Sequence, residues 1–83
     1  MDLKYTASMM SSPDFKERFR AEYFQLKDRT EKLEAMLNKY RLGTLNFTPN
    51  CSYELLYEQF IYMKQYLRLL ESRAKIENIS IAE

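Results

Sequence analysis

The chain has 83 residues with 13 Lys and Arg against 12 Asp and Glu, no His, one Cys and one Gly. That length allows one thin domain that buries only roughly 60–65% of its unfolded surface, so a lone helix pair would be marginal without self-association. Balanced charge argues against a DNA or RNA polymer as partner, and the missing His removes imidazole acid–base chemistry and Cys/His zinc sites. One glycine, Gly43, cannot supply a Gly-rich phosphate loop, and the single Cys51 cannot close an intramolecular disulfide, which points to a reducing compartment.

Residues 1–12 carry only a weak apolar side from Leu3, Tyr5, Met9 and Met10 and are read as a short helix or a frayed arm, the helix being favoured. They lack the basic start and long apolar core of a secretory leader, and no stretch reaches the length of a membrane span. The expectation is a soluble protein that stays where it is made. Residues 13–83 form the main domain. Ser12-Pro13-Asp14 reads as a helix start, with Ser12 the cap, Pro13 in the first turn and Asp14 near the positive end. Phe19, Tyr23, Leu26, Thr30, Leu33, Leu37 and Tyr40 then recur at spacings of four and three, the seam of an antiparallel helix pair. Lys39 and Arg41 suit the last turn, and Gly43 supplies a left-handed cap. This first helix covers about residues 13–41, roughly 42 Å at 1.5 Å per residue.

The linker runs from Thr44 to Cys51, with Phe47 expected to fold back over the open end of the hairpin; an exposed Phe47 would instead mark a partner surface. Ser52 opens a second helix over about 52–77 with Glu54 in its first turn, and Leu56, Phe60, Met63, Leu67, Leu70 and Ala74 repeat the seam. Asn78 is a plausible end, and Ile79-Ser80-Ile81 alternates like a strand without an evident partner. Two helices of similar length joined by a short loop make an all-α antiparallel hairpin.

Helix two has apolar surface to spare. Tyr62, Tyr66 and Leu69 run along one flank of its seam and Tyr53, Tyr57 and Ile61 along the other. A helix apolar most of the way round is buried on more than one side, so the expected assembly is a homo-oligomer. Helix one carries Arg18 and Arg20 around Phe19, and Arg29 and Lys32 beside its stripe. These are ordinary solvated or ion-paired charges in an isolated chain. At an interface, cations beside rings form a pocket for a phosphorylated nucleobase.

The run Glu17-Arg18-Phe19, Glu22, Leu26, Arg29, Lys32-Leu33, Met36-Leu37, continued by Leu55-Leu56, Glu58-Gln59, Met63, Tyr66, Leu69 and Arg73, resembles a family of small phage anti-defence proteins. These are the anti-CBASS sponges, and the resemblance spans about residues 15–75. It implies a compact helical oligomer, a hexamer, in the host bacterial cytoplasm, which sequesters cyclic oligonucleotide immune signals between subunits without cleaving them. No enzyme activity, cofactor or metal is implied. The resemblance also implies a ligand site with an aromatic near the start of the long helix and a Lys further along it. Phe15 and Lys32 are the nearest matches, with Arg18 and Arg29 as neighbours and Tyr66 as a further ring. Phe15 stands where the family has Tyr, keeping the ring and losing the hydroxyl, Phe19 replaces a small β-branched residue, and the linker is longer. Related sponges trap ADP-ribose-derived signals, so the ligand is left between the two classes. The other reading is a helical adaptor that covers a host defence protein with the same spare apolar face.

Overall fold

The computed structural model describes residues 14–82, so Ser12 and Pro13 and the short helix expected over 1–12 lie outside the described residues. Two helices are present among them, α1 over Phe15–Leu42 and α2 over Tyr53–Glu77. Asp14, expected in the first turn, is itself the N-cap of α1. Its backbone is extended and its carboxylate accepts from the Lys16 N–H at 2.9 Å. Ser52 caps α2 as expected, accepting from the Leu55 N–H at 3.2 Å.

Both helices end in the same motif. Gly43 adopts φ +73°, and the Gly43 and Thr44 N–H groups donate back to the Tyr40 and Lys39 carbonyls. Asn78, at φ +60°, repeats this, and the Asn78 and Ile79 N–H groups close on Lys75 and Ala74. This is the left-handed cap; after Gly43 the next residue, Thr44, stays exposed, whereas after Asn78 the apolar Ile79 folds onto the helix. It corrects the strand-like reading of the tail. The motif turns Ile79 inward, where it is buried, and Ile81 packs against the same cluster.

The helices pack as an antiparallel hairpin, fixed by contacts whose residue numbers run in opposite senses. The Tyr23 hydroxyl donates to Glu71 at 3.2 Å, the Arg73 guanidinium lies 5.0 Å from the centre of the Phe19 ring, and Tyr40 meets Tyr53 at 5.5 Å. The longest dimension is 43 Å, which is one 28-residue helix laid end to end. The seam residues read from spacing are buried or half-buried throughout, and Thr30 fits among them because its hydroxyl donates to the Leu26 carbonyl at 2.7 Å.

The core is uneven along the hairpin. Phe19, Tyr23, Phe24, Leu70, Ala74 and Ile79 form a cluster at the end where α1 begins and α2 finishes. Leu70 is only 2% exposed. Phe24 lies off the seam and was not expected inside; it meets the Tyr23 ring edge-on at 5.3 Å. The linker end is looser, held by a ladder of rings from Tyr40 through Tyr53 and Tyr57 to Phe60, with centroids 5.5–6.2 Å apart. Phe47 does not fold back over that end. It is 56% exposed and lines hollows beside Tyr40 and Met36.

Candidate functional site

The packed end of the hairpin carries a patch of rings and charges. Phe15, in the first turn of α1, is 46% exposed and tilts against Phe19 with centroids 6.3 Å apart. Phe19 is buried, and the Arg73 guanidinium lies over its face while also pairing with Glu77 at 3.2 Å. Arg18 is exposed one turn on from Phe15. Two turns further up, the Tyr66 hydroxyl donates to the Glu22 carboxylate across the hairpin. The Tyr66 ring is nevertheless 47% exposed.

That hydrogen bond shapes the chemistry of the patch. It is the main reason the Tyr66 phenol is raised above its ordinary value of 10.0. Burial and the Glu22 charge add to the shift, and the nearby Arg73 charge opposes it. Tyr66 therefore stays protonated at neutral pH and offers a neutral ring. The same bond ties Glu22 on α1 to Tyr66 on α2.

Of the residues selected from sequence, the fold brings Phe15, Arg18 and Tyr66 to this end. Arg29 and Lys32 are left elsewhere. Lys32 lies seventeen positions from Phe15 on the same straight helix, roughly 25 Å along its axis. Its ammonium pairs with Asp28 at 2.9 Å, yet the side chain remains 70% exposed. An exposed pair at this spacing is weak and leaves the cation available. No single copy of the chain can wrap one small ligand with both Phe15 and Lys32.

Sequence reasoning missed two members of the patch, Arg73 and Glu22. Both enter the sequence reading only as positions in the family resemblance. Their position opposite Phe19 and Tyr66 depends on the register of the hairpin, which spacing alone does not fix. Among the described residues no cluster of acidic or thiol side chains could hold a metal ion, and no helix is long and apolar enough to cross a membrane.

A second exposed feature adjoins the patch. On α2, Leu55, Tyr62, Leu69 and Ile76 follow one another at intervals of seven, and Tyr66 lies between the middle pair. All are exposed, Ile76 to 84%. This is a second seam with coiled-coil spacing, offset from the one that faces α1.

Residues 13–76 match the family model described as Sequestin. No curated protein and no solved structure matches the chain.

Proposed function

We propose that this chain, which belongs to the Sequestin family of anti-CBASS nucleotide sponges, holds its cyclic nucleotide between copies of itself. Members of the family are phage anti-defence proteins that sequester cyclic nucleotides and do not transform them. The family match over residues 13–76 is the observation that carries the reading. The hairpin supplies parts suited to it: exposed rings at Phe15 and Tyr66, and cations at Arg18, Arg29 and Lys32.

The roughly 25 Å between Phe15 and Lys32 supports a site shared by two copies. One copy contributes its packed end, where Phe15 and Tyr66 stack on a base and Arg18 meets phosphate. Another contributes Lys32, with Arg29 one turn away. The second seam on α2 gives the copies an apolar surface on which to associate, and a hexamer is the stoichiometry that the family resemblance implies. The ligand is a cyclic oligonucleotide or an ADP-ribose-derived relative, intercepted in the host bacterial cytoplasm before it reaches its effector. Sequestration succeeds when release is slow, so affinity here is governed by dissociation.

Calorimetric titration of Lys32→Ala and Phe15→Ala tests the shared site. Each change should weaken binding about tenfold or more while leaving the helical circular dichroism intact, since both side chains are exposed. Unchanged affinity in both variants would remove these residues from the site.

A further inference from the structure

Beside Lys32 the chain builds a concavity of its own. Between the last turns of α1 and the linker lies a cavity of about 440 Å³, within the range of small-ligand pockets. Met36 and Ala35 contribute its apolar lining, and Phe47 and Asn46 reach it from the linker. Lys32 and Lys39 line it from α1, two turns and roughly 10 Å apart along the axis.

Each side chain is available for a ligand. The carbonyls of Lys39 and Tyr40 are satisfied by the cap at Gly43 and Thr44, and the Thr44 hydroxyl adds a donor to the Lys39 carbonyl at 3.4 Å. Lys39 sits in the last turn of α1, and among the described residues its ammonium makes no ion pair. Lys32 is held only by its exposed pairing with Asp28. Phe47 displays over half its surface to solvent although the ring is large and apolar. A ring that had merely failed to pack would not need two cations and an amide around the same hollow.

We infer that this cavity receives one phosphorylated nucleobase of the sequestered cyclic nucleotide. Phe47 stacks on the base, the Asn46 amide reads its edge, and Lys39 and Lys32 hold the phosphate. The inference rests on the sponge reading and completes its Lys32 half within one chain, leaving the Phe15 end of another copy to close over the ligand. It makes the linker the element that selects the base, since the base-facing groups, Phe47 and Asn46, both belong to it.

The chain contains no Trp, so Phe47→Trp places a single indole in the cavity. Its emission is followed while 3′,3′-cyclic GMP–AMP, cyclic di-AMP, cyclic di-GMP, cyclic tri-AMP and cyclic ADP-ribose isomers are added, with calorimetry in parallel. The expected result is saturable quenching by the nucleotide that calorimetry shows to bind, with Lys39→Ala raising the midpoint about tenfold. Phe47→Ala should weaken the calorimetric affinity by a similar factor at unchanged circular dichroism. Calorimetric binding that leaves the indole emission flat and is indifferent to Phe47→Ala would overturn the cavity assignment and leave the sponge reading standing. Absence of heat with every nucleotide would overturn both.

Discussion

Tyr66 joins the two helices and still offers an exposed ring to the proposed site. Its hydroxyl is tied to Glu22 across the hairpin while nearly half of its surface faces solvent. The folded phenol holds its proton more tightly than the unfolded one. Its contribution to stability is therefore fully present below the ordinary value of about 10 and is lost as pH rises through the raised one. Absorbance titration should reveal a tyrosine that ionises above the ordinary value, lost in Tyr66→Phe and shifted back toward 10 in Glu22→Gln. A titration unchanged by Glu22→Gln would deny that the carboxylate is the cause. The ring was visible in the sequence as excess apolar surface on helix two, but its partner was not. A 3–4 spacing locates the faces of a helix and leaves the axial register open, so neither Glu22 beneath Tyr66 nor Arg73 over Phe19 could be read from it.

The elements were more legible than their ends. The α1 and α2 seams follow from spacing, and the caps at Gly43, Ser52 and Asn78 follow from residue types that few other positions require. The linker and tail were harder because each depends on what the helices leave uncovered. Phe47 stays more than half exposed on the linker, and the tail packs because a left-handed Asn78 turns it. Gly43→Ala isolates the cap term cleanly. An added Cβ at Gly43 meets nothing within 4 Å, so the cost is backbone strain at φ +73°. It should be about 1 kcal/mol in urea denaturation. No loss of stability would show that the turn relaxes out of its left-handed form.

At the scale of the whole molecule, a thin hairpin with its best core at one end and an exposed second seam on α2 is suited to assembly. The sequence pointed to this through the flanking rows of helix two, and the fold leaves Leu55, Tyr62, Leu69 and Ile76 in solvent as a continuous heptad stripe. Leu69→Glu puts a charge in the middle of that stripe without touching the buried seam. Light scattering should find it shifted to smaller species at unchanged helicity, and an unaltered mass would move the interface elsewhere. The placement of Phe15 and Lys32 also belongs to this scale. Both were read from sequence as parts of one site, yet α1 separates them by roughly 25 Å, the span that the proposed sharing between two copies is meant to bridge.

The most direct measurement is calorimetric titration of the intact protein with cyclic dinucleotides, cyclic trinucleotides and cyclic ADP-ribose isomers, followed by recovery and mass analysis of the ligand. A sponge binds one of them tightly and returns it at its original mass. A folded protein that binds none of them, or that releases a ligand of altered mass, is not a sponge for these signals.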